Sequence, residues 1–349
     1  MNTQPVIFDG HNDLLTRLWL SPAADPVHDF IHGTLPGHLD LERCRKAGWM
    51  GGLFSIFLPP YAYVKNNHPD KLVNFSNSDF DTQEIIDICS AQLKLAQQLE
   101  ARSNGQIKIC TSLTQIKACQ RNQQLAIVIH MEGAEVLAIK PELLDLFYEA
   151  GLRSIGPLWN RKSLFGDGLN ASFPHSPNTG SGLTRQGKDL ILACSKNHML
   201  IDVAHMNERA FWDTLEIINQ PIVVTHSNAH ALCQQARNLT APQLAAIKQS
   251  DGMVGVNFDV AFLRADGQRN TQTSLDVIVD HLDYLIDHLG EDHVGFGSDF
   301  DGCLLPDELS DVTQLSMLIE RMQQRHFCDQ LIEKITSKNW FSVLDRIWQ

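Results

Sequence analysis

The chain has 349 residues, 43% hydrophobic and 20% charged, and 28 Lys and Arg against 41 Asp and Glu give a net charge of −13. That balance excludes a disordered chain, a collagen and a coiled coil, and a core of this size needs neither disulfide nor structural metal. The acidic excess, with no clustered basic run, excludes a duplex-binding footprint, and no nucleic-acid partner is expected.

The opening MNTQPVIFDGHND has no charged n-region or apolar h-region, so no signal peptide is expected. Uninterrupted apolar stretches fall short of the ~18 residues a membrane span needs. Eight Cys are scattered at 44, 89, 110, 119, 194, 233, 303 and 328 with no C-x-x-C. They read as buried reduced thiols in a cytoplasmic protein.

In chain order, apolar runs predict strands at 5–11, 51–58, 126–131, 152–158, 199–204, 221–226, 252–257 and 293–298. Several are apolar on both faces, as in IVVT at 222–225, which suits parallel strands covered on both sides. Between them, amphipathic spacing predicts helices at 82–102, 184–196, 207–218, 240–249 and 273–289, with 312–322 and 327–346 closing the chain. Strands alternating with helices give a (β/α)8 barrel over 1–349 as one domain, with a doubly wound open sheet as the alternative. Two long βα connections, 59–81 and 159–183, would lie on the C-terminal face, where barrel active sites form.

The polar residues that end these runs carry the chemistry. In VIFDGHND, His11 and Asp13 are two apart, so an extended backbone points both side chains the same way. LAIVIHMEG places Glu132 just beyond the third predicted strand, IDVAH ends at His205, PIVVTH at His226, and HVGFGSD at Asp299. A barrel gathers these ends around one mouth, where three imidazoles and three carboxylates would repel and desolvate one another without cations. Two divalent metal ions resolve the conflict. Of the fifteen His, those at 28, 32, 38, 68 and 175 fall in loop-like stretches and those at 281, 288 and 326 on helices; each reads as solvated or capping.

Other motifs fail. GLTRQGK at 182–188 approaches a phosphate loop, but Asp189 stands where a magnesium-binding hydroxyl belongs and no strand precedes it. GFGSDFDG lacks the serine spacing of a nucleophile elbow, and there is no H-E-x-x-H or strand-linked G-x-G-x-x-G.

With these residues in view, the chain resembles the membrane (renal-type) dipeptidase family, metallopeptidases of the amidohydrolase superfamily. The resemblance runs through DGHNDLLTRLW, HLDLERCRKAGWMGGLFSIF, HMEGAEVL, GLTRQGKDLI, IDVAHMN, VVTHSNAHALCQQARNL, HVGFGSDFDG and KNWFSVL. It implies two zinc ions, one on His11 and Asp13, the other on His205 and His226, bridged by Glu132 and a hydroxide. It further implies that Asp299, counted among the metal ligands, moves the proton to the leaving amine, and that Arg237 grips the substrate's C-terminal carboxylate. Short dipeptides, some with a D-residue at the C-terminal position, are the implied substrates, and a homodimer the implied assembly. One position departs: where mammalian members carry a substrate-contacting His, this chain has Trp159, followed by Asn160, and both are expected to face substrate. The alternatives are an amidohydrolase acting on another amide or a lactone, and a barrel that binds metal or ligand without turnover.

Overall fold

In the computed structural model, which describes residues 5–72 and 79–349, the apolar runs form parallel strands covered by helices. The strands are β1 (Ile7–Asn12), β2 (Trp49–Phe57), β3 (Ile107–Ile109), β4 (Leu125–Glu132), β5 (Leu152–Gly156), β6 (Lys162–Ser163), β7 (Gly166–Asp167), β8 (Leu200–Ile201), β9 (Val223–Ser227), β10 (Met253–Val256) and β11 (Val294–Phe296). One sheet runs β1-β2-β4-β5-β8 with β3 beside β4, and a second runs β11-β10-β9. Single parallel bridges, Asn12 to Phe300 and Asp202 to Val223, join the sheets at both seams. The result is the expected barrel, curled from two half-shells.

Alternation along the strands sorts the core into an inside and an outside. On β4, Ala126 and Val128 join a cluster within the barrel, while Ile127, Ile129 and Met131 join the layer beneath the helices. The inner cluster holds residues from strand beginnings (Phe8, Met50, Leu200, Val223, Met253) against Trp340, Val343 and Leu344 of the last helix, Asn339–Ile347. Trp340 is fully buried, and its Nε1 donates to the Phe296 carbonyl at 2.8 Å. The chain's end thus plugs the N-terminal end of the barrel and leaves the other end for a site.

The structure departs from the sequence expectations in several places. The predicted strand 199–204 is a strand only at Leu200–Ile201, because Asp202 Oδ1 accepts the N–H groups of Ala204 and Thr225 at 3.0 and 2.9 Å, diverting them from the ladder. β3 is three residues long, too short for a periodic signal. Helices at Leu14–Leu20, Pro26–Ile31, Leu41–Lys46 and Leu143–Glu149 span two turns or fewer, for the same reason. The connection 59–81 contains a helix at Tyr61–Asn67, and its residues 73–78 lie outside the described residues. The connection 159–183 contains the β6–β7 hairpin. The single closing helix expected at 327–346 is broken by a π-turn at Lys334–Lys338.

His281, expected to be solvated or capping, is fully buried: its Nδ1 accepts from the Ala229 N–H at 3.1 Å and its Nε2 donates to the Leu263 carbonyl at 3.0 Å. Burial pulls its pKa down to about 4. As pH falls, the unfolded chain takes up this proton first, so the stability it supports is whole above ~6.5 and lost towards 4, by at most about 3 kcal/mol. His281→Gln is expected to flatten the fall of the urea midpoint between pH 7 and 4.5; parallel profiles for both proteins would rule the contribution out.

Candidate metal centre

The inward row of β4 continues past Ala126 and Val128 to His130 and Glu132, so the strand's own alternation aims a carboxylate into the barrel mouth. Glu132 Oε1 lies 2.8 Å from His205 Nε2, 3.4 Å from His226 Nε2 and 3.7 Å from His11 Nε2. The His205 and His226 Nε2 atoms are 3.1 Å apart, and the His11 and His226 rings stack at 3.9 Å. His11 Nε2 is 3.6 Å from Asp13 Oδ2, while the Ser55 hydroxyl donates to the other oxygen of Asp13. Asp299 follows β11 in a turn and takes a left-handed backbone, φ 61°, which Asp tolerates better than most residues. A side chain on Gly302 would strike the carboxylates of Asp13 and Asp299, so only glycine lets those two oxygens share the corner. Asp299 Oδ2 accepts from Asn257 Nδ2 at 2.9 Å.

None of these six residues is more than 8% exposed. Burial lifts the Glu132 carboxyl well above its ordinary range; His11 pulls against it, and Asp13 and Asp299 add to it. Burial likewise pushes Asp299 up to about 7, opposed by His11 and reinforced by Asp13. Desolvation opposes charge on His11, yet Glu132, Asp13 and Asp299 outweigh it and lift that imidazole to about 10. His205 and His226 are held well below their ordinary value by burial first, then by Arg237 and His11. Both are therefore neutral, the form in which imidazole ligates a metal.

The donor set fits divalent cations. Both ring nitrogens of His11 are buried without a hydrogen-bond partner, and bare Nε2 lone pairs face a carboxylate. Ligand atoms of His11, Glu132 and His226, and again of His11, Asp13 and Asp299, lie within 4.8 Å of one another. Mixed imidazole and carboxylate donors at that spacing suit zinc and its neighbours in the first transition row.

A cavity of about 470 Å³ opens above these residues, walled by Trp159, Phe57, Phe262 and Arg237. The Trp159 ring lies 4.9 Å from Phe57 and 6.0 Å from His205. Arg237 is fixed from behind: Nη2 donates to the His226 carbonyl at 3.1 Å, and Nη1 to that of Ala204. Asn160 was expected to face substrate, and it does border the cavity, but its Oδ1 sits 2.8 Å from His205 Nδ1. That contact orients a predicted ligand.

Sequence reasoning missed Ser55, Asn257 and Asp202. Asn257 carried the signal used for His226, a polar residue closing an apolar strand, and Asp202 stood as a lone carboxylate inside IDVAH.

A model of the family described as membrane dipeptidase (peptidase family M19) matches residues 1–349. The chain belongs to this family. It is 64% identical over 283 residues to an uncharacterized protein in the PQQ-III 3′ region of Acinetobacter calcoaceticus, covering 81% of this chain and 90% of that protein. The crystal structure of a metallo peptidase of the M19 family, dipeptidase AC, is similar with a TM-score of 0.91 at 37% identity, covering 99% of both chains. A metallo peptidase from Rhodobacter sphaeroides, liganded with a phosphinate mimic of L-Ala-D-Ala, is similar with a TM-score of 0.92 at 37% identity, over 99% of this chain and 100% of that one. The M19 chain described here is thus a dipeptidase, a peptide-bond hydrolase of a family that uses divalent metal. No helix among its described residues is long and apolar enough to cross a membrane.

Proposed function

We propose that this M19 dipeptidase hydrolyses dipeptides bearing a free C-terminal carboxylate, a D-residue at that position included, with 1–349 acting as one catalytic domain. His11, Asp13, Glu132, His205, His226 and Asp299 would hold two zinc ions. The observation that carries the reading is Glu132 Oε1 within 3.7 Å of three imidazole nitrogens, on the floor of a cavity that also presents Arg237. Bound cations in such a site supply a water activated at neutral pH and polarise the scissile carbonyl.

The chain's own groups do the rest. Asp299, its Oδ2 held by Asn257, takes a proton on its other oxygen and returns it to the leaving amine. Arg237 spends two guanidinium hydrogens on backbone carbonyls and keeps the remainder of its five for the substrate carboxylate. Trp159 and Phe57 form an apolar wall that excludes water from the bond being cleaved. Asn160 aligns His205 from the side. The mimic bound by the Rhodobacter sphaeroides relative supports acceptance of a C-terminal D-residue. Zinc as the resident metal and a homodimer rest on the family resemblance, and a cytoplasmic location on eight unpaired cysteines.

The test is hydrolysis of L-Xaa-L-Xaa and L-Xaa-D-Xaa dipeptides by metal-quantified protein, with N-acyl amino acids and lactones alongside. Dipeptide cleavage lost to a chelator and restored by zinc is the expected result; turnover of the other panels alone would move the substrate elsewhere. Arg237→Lys is expected to raise KM for dipeptides at least about tenfold, since a point charge replaces a planar fork, and to leave dipeptide amides nearly unchanged. Equal effects on both substrates would detach Arg237 from the carboxylate.

A further inference from the structure

Beneath the metal ligands lies a chain of buried polar side chains that the reaction above does not use. Thr225 Oγ1 lies 2.8 Å from His226 Nδ1 and donates to Asp202 Oδ2 at 2.7 Å. The other oxygen of Asp202 accepts two backbone N–H groups, from Thr225 at 2.9 Å and Ala204 at 3.0 Å. On the far side of Asp202, His130 Nε2 stands 3.6 Å from Oδ2, and His130 Nδ1 is 2.8 Å from Ser154 Oγ. Asp202 is 2% exposed, and Ser154, His130 and Thr225 are wholly buried. The network therefore spans β4, β5, β9 and the residue after β8, with no access to substrate.

Donor arithmetic gives it a direction. A carboxylate accepts only, so the single hydroxyl hydrogen of Thr225 is committed to Asp202. Thr225 Oγ1 is then left to accept, and what it accepts is the Nδ1–H of His226. That proton placement bares His226 Nε2, the nitrogen that faces Glu132 at 3.4 Å and His205 Nε2 at 3.1 Å. Asn160 does the same for His205 through a single amide oxygen, at 2.8 Å.

We propose that Asp202, acting through Thr225, is a positioning residue that selects the His226 tautomer able to ligate a divalent cation. The inference rests on the metal reading of the site. It distinguishes Asp202 from a structural carboxylate, because exchanging one oxygen for an amide inverts the relay. In Asp202→Asn the two backbone N–H groups keep the amide oxygen, and the NH2 faces Thr225. The hydroxyl then accepts from it and turns its own hydrogen towards His226 Nδ1. His226 shifts to the Nε2–H tautomer, with a hydrogen aimed where the cation belongs.

The experiment measures zinc affinity by competition with a chromophoric chelator, and bound metal by mass spectrometry, for the wild type, Asp202→Asn, Thr225→Val and Thr225→Ser. 15N-histidine NMR of each metal-free protein reports the His226 tautomer directly. Asp202→Asn and Thr225→Val are expected to bind zinc about 10–100-fold more weakly. Thr225→Ser keeps the hydroxyl and should stay close to wild type. In the spectra, His226 should carry its proton on Nδ1 in the wild type and on Nε2 in Asp202→Asn. Unchanged zinc affinity in folded Asp202→Asn and Thr225→Val, or the same tautomer in all four proteins, would overturn the relay. A wild type that takes up no zinc would overturn the metal reading itself, a different outcome from a wild type that binds and variants that bind equally well. Should Asp202→Asn fail to fold, the Thr225→Val and Thr225→Ser pair decides.

Discussion

Replacing Glu132 with glutamine is expected to cut dipeptide hydrolysis by about 10³-fold or more and to empty the site of metal, a loss of about 4 kcal/mol in transition-state stabilisation. One oxygen of Glu132 faces three imidazole nitrogens, at 2.8, 3.4 and 3.7 Å, so no other single atom touches as much of the cluster. Glutamine has the same shape but no charge, and its NH2 group brings hydrogens towards lone pairs. The effect on stability should have the opposite sign in chelator. There burial penalises the wild-type carboxylate first, Asp13 and Asp299 add to the penalty, and His11 offsets part of it. Metal-free Glu132→Gln should therefore melt at or above the metal-free wild type. Added zinc should raise the melting temperature of the wild type only, because a ligand stabilises what binds it. Thermal scans in chelator and in zinc, with metal analysis, check both halves; a variant that keeps its full metal complement removes Glu132 from the ligand set.

Asp299→Asn should separate chemistry from binding. A positioned acid–base group contributes about 10²–10⁴-fold, and a fall in kcat of about 10³-fold is expected, with a smaller change in KM. Asn257 holds Oδ2 of Asp299 at 2.9 Å and can bond an amide oxygen equally well, so the side chain should stay in place. In the metal-free chain burial chiefly pushes this carboxyl up to about 7, and a cation bound beside it would bring it down again. Metal analysis decides the role: most metal retained with kcat lost marks a proton carrier, while metal and activity lost together mark an essential ligand.

How much of this was legible depended on whether the signal was local. The strand ends were readable because an apolar run such as PIVVT can only be buried, which makes the His that ends it a mouth residue. Glu132 was readable the same way, one alternation beyond Val128 and His130. What stayed hidden depends on partners far away in sequence. Asn160 meets His205 across 45 positions, and nothing in LWN marks its amide as a prop for an imidazole. Asp202 looked like part of a strand, yet its carboxylate ends the strand by capturing two N–H groups. His281 was misread although its signal was present: it falls in step with Ile278, Leu282 and Leu285, all buried, so spacing put it on the apolar face. Its polarity outweighed its position in the reading, and in the fold position won because both ring nitrogens found partners.

Among the described residues the barrel closes with one bridge at each seam, Asn12 to Phe300 and Asp202 to Val223. A few further hydrogen bonds cross there, among them Asp13 N–H to Phe300, Asp299 N–H to His11 and Val203 N–H to Val223. The candidate ligands divide along the same lines. His11, Asp13, Glu132 and His205 belong to the first half-shell, and His226 and Asp299 to the second. Whatever fills the site is therefore a clasp as well as a reagent, holding together two shells whose backbone ladders leave them loosely stitched. With cations in the site as proposed, occupancy and breathing would become one variable: removing them would loosen the chain along the two lines where the ligands meet, and the amides of Asp13, Val203 and Asp299 are the ones that would register the opening.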